Sequence, residues 1–230
     1  MAAAEARRLS VIIPALNEAD GISATLASLQ TLRRRGHEVI VVDGGSEDAT
    51  VAACQSQVDR IVHSARGRGR QMRAGAALAR GEVLWFLHAD TRAPSQGDEY
   101  ILEALARPGC VWGRFDVCFA QPHRLLKCIA ASMNLRSRIT GIATGDQGIF
   151  VTRRLYEHAG GIPAIALMED IAFSRALKQH ARPVALRHKL QTSARRWLAH
   201  GILRTVIRMW SLRLAFYCGA SPEQLARFYP

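Results

Sequence analysis

Acidic side chains lie at or just beyond the ends of apolar runs in this 230-residue chain, where strands would end. Glu18, Asp43 and Asp90 each follow such a run. Because the carboxyl ends of parallel strands meet at one edge of a sheet, we expect these carboxylates to lie close together. Clustered carboxylates repel each other unless a cation or hydrogen-bond donors lie between them. One alone would be typical of a helix cap, but three in succession indicate a ligand site.

The carboxylates suit different ligands. A buried carboxylate at a strand end can accept a hydrogen bond from a nucleobase N–H, and Asp43 is the candidate for this role. Asp90 is the candidate metal ligand, because Mg²⁺ and Mn²⁺ prefer oxygen ligands and complete their shell with phosphate and water. His88 lies two residues earlier and can point the same way in an extended segment, or can pack as a neutral side chain.

A short loop alternates arginine with glycine between Arg66 and Arg70. Glycine lets the backbone approach a phosphate closely, and arginine binds phosphate through two parallel hydrogen bonds. The same string is typical of a nucleic-acid-binding tract. Here it lies inside an α/β unit and has few aromatic neighbours, so we predict that Arg66 and Arg70 bind a small nucleotide ligand and that nucleic acid is not a partner.

The elements that must position these residues alternate between strand and helix. Four β-branched runs in the first half are predicted strands: residues 9–14, 39–42, 60–63 and 83–87. Helical patterns between them predict a parallel sheet with right-handed crossovers. The second half adds three predicted strands, 111–119, 147–151 and 183–187, and helices at 94–105, 125–133 and 169–179. A long helix is predicted after Trp197.

The composition is that of a globular protein with an anionic partner. Hydrophobic residues make up 49% and charged residues 22%, which excludes a disordered or collagen-like chain. The formal net charge is +12, and residues 182–230 hold nine basic residues against one acidic residue. Such an excess favours phosphate-bearing ligands, nucleic acid or an anionic membrane face.

The cellular setting follows from what the sequence lacks. Five cysteines without a C-x-x-C pair argue against a disulfide framework or a cysteine zinc site. No secretory signal is visible, and every window of 18 residues carries a charge. We therefore predict a cytoplasmic protein that can bind peripherally to the inner face of a bacterial cell membrane.

Three segments carry a family resemblance. Residues 10–18, 41–50 and 87–90 resemble the motifs of family 2 glycosyltransferases. The resemblance implies a GT-A fold, which is a Rossmann-like nucleotide-diphospho-sugar transferase domain with a mixed, mostly parallel sheet flanked by helices. It implies a domain at 9–197, followed by a basic amphipathic helical appendage at 198–230. The strings at 145–150 and 195–197 are similar to the bacterial arsenosugar-biosynthesis-associated branch.

The resemblance also implies roles for individual residues. It implies that the nucleotide is held at the first two strand ends, by Pro14, Asn17, Glu18, Asp43 and Gly44. It implies that Asp90 binds Mg²⁺ or Mn²⁺ on the diphosphate and that Asp170 is the catalytic base of an inverting transfer. A late R-W element near the donor diphosphate and acceptor matches Arg195, Arg196 and Trp197.

The chain departs from the family pattern at two positions. His88 stands where the family's D-x-D motif has its first aspartate, and Ser193 stands where a glutamine is usual. Asp146 and Glu169 are further candidates, as acceptor contacts. The predicted activity is metal-dependent inverting transfer of a sugar from a nucleotide diphosphate, UDP-sugar first, to a hydroxyl of a lipid or terpenoid acceptor.

Two other functions compete with this prediction. A sugar nucleotidyltransferase would also gather acids and arginines, but it would need a long glycine-rich loop at the first strand, which is missing. A basic RNA- or membrane-binding module would not need three carboxylates. Within residues 197–218, a polar face of His200, Arg204, Arg208 and Ser211 beside an apolar remainder predicts an interfacial helix on an anionic membrane. The alternative is a helix packed on the domain.

Overall fold

One mixed β-sheet organises the protein. The computed structural model describes residues 7–229, without the side chain of Arg196. Within this part of the chain the sheet has eight strands. They are β1 (Leu9–Ala15), β2 (Glu38–Asp43), β3 (Arg60–His63), β4 (Val83–Phe86), β5 (Thr91–Arg92), β6 (Trp112–Phe119), β7 (Phe150–Thr152) and β8 (Val184–Thr192).

The strand order brings the predicted carboxylates Glu18, Asp43 and Asp90 to the carboxyl-terminal ends of neighbouring parallel strands. It runs β3-β2-β1-β4-β7-β6-β8-β5. The first four strands are parallel, whereas β7 is antiparallel to both β4 and β6. β6 and β8 are parallel again, and β5 closes the sheet antiparallel to β8. The predicted α/β class with a mixed, mostly parallel sheet is therefore confirmed.

Helices cover both faces of the sheet. In chain order they are α1 (Ala19–Ser28), α2 (Gln30–Arg34), α3 (Thr50–Cys54), α4 (Arg68–Leu78), α5 (Gly97–Ala106), α6 (Arg124–Thr140), α7 (Arg153–His158), α8 (Glu169–Lys178), α9 (Arg195–His200), α10 (Ile202–Tyr217) and α11 (Pro222–Ala226). A 3₁₀ turn spans Gly145–Gln147. The helices α1 and α5 pack on one face of the sheet, and α4 and α8 on the other. The central strands are apolar throughout because both of their faces are buried.

Three predicted elements have different limits. The helix predicted at 125–133 continues to Thr140, and the strand predicted at 183–187 continues to Thr192. β8 extends because β6 and β5 pair with it on its two sides, which compensates for its exposed polar residues. The helix predicted after Trp197 is interrupted at Gly201, whose φ of 82° suits glycine.

The C-terminal helices pack on the rest of the protein. Leu212 of α10 and Leu225 of α11 are buried in a small cluster with Met168 and Ile171. Within residues 7–229, none of the helices is long and apolar enough to cross a membrane. The predicted boundary between a domain at 9–197 and an appendage at 198–230 stays a prediction.

Close contact between α4 and the sheet gives a stability test. A β-carbon at Gly75 would lie 2.6 Å from Ile12 Cγ2 and 2.8 Å from Val42 Cγ2, whereas one at Gly21 in α1 would meet nothing within 4 Å. Gly75→Ala is expected to lower the free energy of unfolding by about 1–3 kcal/mol through overpacking. Gly21→Ala, the control, should raise it by about 0.5–1 kcal/mol through helix propensity. Urea denaturation measures both, and equal effects would contradict this packing.

Candidate active site

A cavity of about 160 Å³ lies beyond the carboxyl ends of β1 and β4. Six of the residues singled out in the sequence line it, and these are Pro14, Glu18, Asp90, Asp146, Asp170 and Trp197. His88 lines it as well. The parallel half of the sheet, the 3₁₀ turn before β7 and the start of α8 thus contribute carboxylates to one cavity. An acidic cavity of this kind can bind a divalent cation and polar ligands.

The turn after β2 is built around Asp43 rather than open to the cavity. The Asp43 carboxylate accepts hydrogen bonds from the N–H groups of Gly45 at 3.0 Å and Ser46 at 3.2 Å. Burial acts to raise the pKa of Asp43, but the hydrogen bonds from Ser46 and Gly45 outweigh it and hold this pKa below its ordinary value. Asp43 and Gly44 are buried and do not line the cavity. Their contact with a nucleobase stays a prediction.

Asn17 supports the neighbouring turn. It has a left-handed φ of 52°, a conformation that asparagine adopts more readily than most residues. Its N–H donates to Ser46 Oγ, and its Oδ1 accepts from the N–H of Glu47. Asn17 therefore ties the end of β1 to the turn after β2. Its nucleotide contact stays a prediction.

One arginine of the arginine-glycine loop lines the cavity, and it is Arg68. Arg66 and Arg70 are exposed and do not line it, so their phosphate contacts stay predictions. The Nε of Arg68 donates to Glu169 Oε1 at 2.7 Å. Although burial favours the neutral form, the carboxylates of Glu169 and Asp170 raise the pKa of Arg68 above its ordinary value. Arg68 is the first residue of α4, so the predicted loop already turns into helix at this position, and the start of α4 presents a permanent positive charge to the cavity.

Glu169 is only 2% exposed and is not part of the cavity wall. Its contact with Arg68 supports a role in positioning that arginine, and the acceptor contact stays a prediction. Gly69 permits this arrangement, because a β-carbon there would lie 2.4 Å from the carbonyl oxygen of Pro163. The residue before Glu169 is Met168, which is buried with a left-handed φ of 67°. Such a conformation is strained for methionine, and strained residues cluster at functional sites.

Asp170 is held by backbone donors in the first turn of α8. Its Oδ2 accepts from the N–H of Gly145 at 2.8 Å, and its Oδ1 accepts from the N–H of Ile171 at 2.7 Å. Each carboxylate oxygen keeps a second lone pair for a ligand. The side chain therefore has a fixed orientation and free acceptor capacity at the cavity wall.

His88 pairs with Asp146 across the cavity. The distance from His88 Nδ1 to Asp146 Oδ1 is 3.1 Å. The ring fills the space beside Gly145, where a β-carbon would lie 2.2 Å from His88 Nε2. The histidine in place of the family's first aspartate is thus accommodated by a nearby carboxylate and a residue without a side chain.

The metal ligands available from the protein are few. Among residues 7–229, no three His, Cys, Asp or Glu side chains converge as a ready-made metal site. Asp90 nevertheless lines the cavity beside Glu18, and Mg²⁺ or Mn²⁺ commonly binds one or two carboxylates and takes its remaining ligands from substrate phosphates and water. The donor set therefore fits a cation that arrives with a diphosphate.

Arg195 and Trp197 of the late R-W segment contact different parts of the site. Arg195 Nη2 donates to Glu18 Oε2 at 2.6 Å and lines an adjoining depression that includes Asp90. Trp197 lines the cavity itself and packs edge-on against Phe119 at 5.6 Å between ring centroids. The side chain of Arg196 lies outside the described residues. Ser193, in place of the usual glutamine, donates its N–H to the carbonyl oxygen of Asp90 at 3.2 Å.

The inner face of α10 is the part of the site that the sequence did not predict. Arg208, Met209 and Arg213 line the cavity, together with Tyr229 beyond α11. The interfacial interpretation assigned Arg208 to a membrane-facing surface, whereas here it faces the cavity. The packed alternative describes this face better. The signal available in the sequence was Arg213, which falls on the side of the helix opposite Arg204 and interrupts its apolar face.

The mixed, mostly parallel sheet with helices on both faces is the GT-A fold. The profile of glycosyl transferase family 2 matches residues 10–156, and the chain belongs to this family. The chain is 38% identical over 122 residues to an uncharacterized glycosyltransferase of Mycobacterium tuberculosis, Rv1514c, covering 46% of this chain and 44% of that protein. The arsenosugar branch stays a prediction.

A second curated relative has a stated substrate. The validoxylamine A glucosyltransferase of Streptomyces hygroscopicus is 34% identical over 127 residues, which is 46% of this chain and 29% of that protein. The matched part thus spans less than half the length of these curated relatives.

Solved structures share the fold at low sequence identity. A mannosyltransferase from Pyrobaculum calidifontis, solved with GDP-Man and Mn²⁺, has a TM-score of 0.69 at 21% identity, covering 98% of this chain and 68% of that one. A fragment of TarS from S. aureus has a TM-score of 0.67 at 17% identity, covering 96% of this chain and 70% of that one.

A substitution at Gly145 tests the position of the His88 ring beside Asp146. Gly145→Ala is expected to push the imidazole away from Asp146, because the new methyl group would occupy the position of Nε2. The NMR signals of the His88 ring should shift, while the unfolding temperature changes little because His88 lies at the cavity wall. Unchanged His88 signals would contradict the geometry.

Proposed function

We propose that this protein is a metal-dependent inverting glycosyltransferase that transfers a sugar from a nucleotide-diphosphate donor to a hydroxyl acceptor. The observation that carries the proposal is that one cavity of a family 2 chain is lined both by Asp90, which follows β4, and by Asp170, at the start of α8. Structures with the same fold were solved with GDP-Man and Mn²⁺ and with UDP-GlcNAc. UDP-sugar is the first donor to test.

Asp170 is the proposed catalytic base. An acceptor hydroxyl must lose its proton as it attacks the anomeric carbon, and a positioned carboxylate can accept that proton. Its backbone hydrogen bonds from Gly145 and Ile171 fix its orientation, which favours productive geometry. Inversion by direct attack needs no second carboxylate as a nucleophile, so one base is sufficient.

The leaving diphosphate gains negative charge as the glycosidic bond breaks. Asp90 is the proposed ligand of Mg²⁺ or Mn²⁺, which when bound neutralises part of that charge. Arg68 adds a fixed positive charge from the cavity wall, where it needs no reorganisation during the reaction. The nucleotide is proposed to lie along Pro14, Glu18 and the turn at Asp43.

The two competing functions have less support. Membership of glycosyl transferase family 2 favours sugar transfer over the synthesis of nucleotide sugars. A basic nucleic-acid-binding module would need exposed arginines with stacking aromatic side chains. Arg66 and Arg70 are exposed, but Arg68 is paired with Glu169, and the aromatic ring of Trp197 packs against Phe119.

Replacing the base and the metal ligand should separate catalysis from binding. Asp170→Asn is expected to lower kcat by roughly a hundredfold or more because proton acceptance is lost, while UDP affinity stays nearly unchanged. Asp90→Ala should weaken Mn²⁺-dependent UDP binding itself. A mass-spectrometric donor screen and calorimetry measure these effects, with the surface variant Glu82→Gln as the control. Full turnover by Asp170→Asn would show that another group is the base.

The outer face of α10 is exposed and apolar, which supports the proposal that the acceptor is a lipid and that the protein meets it at a membrane surface. Five large apolar side chains form a stripe along this helix, and each is between 54% and 68% exposed. This apolar stripe consists of Leu203, Ile207, Trp210, Leu214 and Tyr217. Their spacing places them on the face opposite the cavity-lining residues. An exposed helix face of this kind binds at the interface of a bilayer.

The helix α6 extends the same surface. It exposes Leu135 and Ile139 with the basic residues Arg124 and Lys127, and its last residue borders the same depression as Tyr217. Apolar side chains flanked by basic ones match the chemistry of an anionic bilayer. The proposed occupant of this face is therefore a membrane surface that contains anionic lipid.

Vesicle flotation tests the membrane proposal. The wild-type protein should float with phosphatidylglycerol-containing vesicles, and Trp210→Ser should weaken this binding roughly tenfold or more, because a large buried side chain contributes about 1.5–3 kcal/mol. Leu78→Ser is the matched control, since Leu78 is exposed on α4 and lies outside the apolar stripe. Equal flotation of wild type and Trp210→Ser would contradict the proposal.

A further inference from the structure

Two arginines beside the candidate base have buried N–H groups without a partner. In Arg136 these are Nε and Nη2, and in Arg213 it is Nε. The Nη1 group of Arg136 donates to the carbonyl oxygen of Ile142 at 3.3 Å. Native proteins pair nearly all buried donors, because an unpaired buried donor on a charged group is costly. The two guanidinium groups therefore indicate a ligand that accepts hydrogen bonds.

The two positive charges also act on each other. Burial first, and then the charge of Arg213, lower the pKa of Arg136 to about 10. Asp170 attracts Arg136 but does not form an ion pair with it. Among the described residues, no carboxylate lies within 4.0 Å of Arg136, Arg208 or Arg213. An anion between them would relieve this repulsion.

Elsewhere the chain pairs buried arginines with carboxylates, although the Nε of Arg114 also has no hydrogen-bond partner. Asp116 accepts from both Arg114 and Arg138, and Asp98 accepts from Arg35. Arg136 and Arg213 differ because, among the described residues, neither forms an ion pair with a carboxylate, and Arg213 lines the cavity. Arg208 and Arg213 both line it, on the wall that α10 contributes. Asp170 lines the same cavity, so an anion held by these arginines would lie near the candidate base.

We propose that Arg208 and Arg213, backed by Arg136, form a phosphate-binding subsite for the acceptor. The acceptor then carries a phosphate group close to the hydroxyl that receives the sugar. This inference rests on the proposed function, since it assumes that Asp170 acts on the acceptor. The phosphate can belong to a soluble phosphate ester or to a lipid headgroup, and the chemistry recognised is the same in both cases.

The donor diphosphate is the other anion that these arginines could hold. The proposed donor contacts already include Arg68 and a cation on Asp90, at the ends of α4 and β4. α10 brings its charges from a separate wall of the cavity. We therefore favour an acceptor phosphate, separate from the donor diphosphate, as the ligand of these arginines. The experiment compares the binding of the two anions directly.

Calorimetry with the full chain tests the subsite. Glycerol 3-phosphate is titrated into protein saturated with UDP and Mn²⁺, and UDP is titrated separately. Arg213→Gln should weaken glycerol 3-phosphate binding about tenfold or more, through the loss of charge-assisted hydrogen bonds, and should change UDP affinity less than about twofold. Arg213→Lys should recover part of the binding. Arg80→Gln, on the surface away from the cavity, should bind like wild type.

The outcomes separate the subsite from the proposed function. Equal losses of UDP and glycerol 3-phosphate affinity in Arg213→Gln would overturn the proposal, because the arginines would then serve the donor. Absence of binding by both glycerol 3-phosphate and phosphatidic acid vesicles would also overturn it. Binding of the phosphate ester by a protein that binds neither UDP nor GDP would support the anion site while refuting the proposed function.

A vesicle experiment distinguishes the two sources of phosphate. Phosphatidylcholine vesicles with and without phosphatidic acid are compared for wild type, Arg213→Gln and Trp210→Ser. A headgroup in the subsite predicts that both variants lose the preference for phosphatidic acid. A soluble phosphate ester in the same subsite predicts a different result. Arg213→Gln would then weaken the binding of glycerol 3-phosphate but would leave vesicle binding unchanged.

Discussion

The ion pair between Arg68 and Glu169 is the interaction on which the site depends most. It joins the first residue of α4 to the first residue of α8 across a separation of 101 positions in the chain. Glu169 is almost fully buried, so the loss of its partner would leave a charge in a poorly solvated place. The pair therefore locks together the two helix starts that bring Arg68 and Asp170 to the same cavity.

The C-terminal helices complete this cavity from another direction. The inner face of α10 supplies Arg208 and Arg213, and its outer face is the apolar stripe. A basic amphipathic helix is commonly interpreted as a surface element whose charged side faces lipid headgroups. In this protein the cationic face is turned to the cavity wall instead, and the apolar face is left without a partner among residues 7–229. One helix thus serves two surfaces of different chemistry.

The positions of the central strands were easier to predict from the sequence than the residues of the site. The strands at β1, β2 and β4 were predictable because both of their faces are buried, which makes them continuous apolar runs. The extension of β8 was not, since its polar residues are held in the sheet by pairing with β6 and β5. Local patterns carry little information about such pairing, because partner strands are distant in the chain.

The site shows the same limit at the level of single residues. The strand-end pattern identified Asp90 and the family resemblance identified Asp170, and both line the cavity. The prediction named Arg66 and Arg70 and missed Arg68, because only the start of α4 decides which of the three arginines lines the cavity. The residues of α10 were missed because their contribution depends on how the C-terminal helices pack on the sheet domain.

Because α10 has functional residues on two opposite faces, insertions and deletions near its start are constrained. Each residue turns an α-helix by about 100°, so one inserted residue early in α10 would rotate every later side chain by that angle. The guanidinium groups would leave the cavity wall, and part of the apolar stripe would approach it. Replacements along either face alter one surface at a time, whereas an insertion or deletion between Gly201 and Arg208 would disturb both together. Homologues should therefore keep the length of this segment more strictly than its composition.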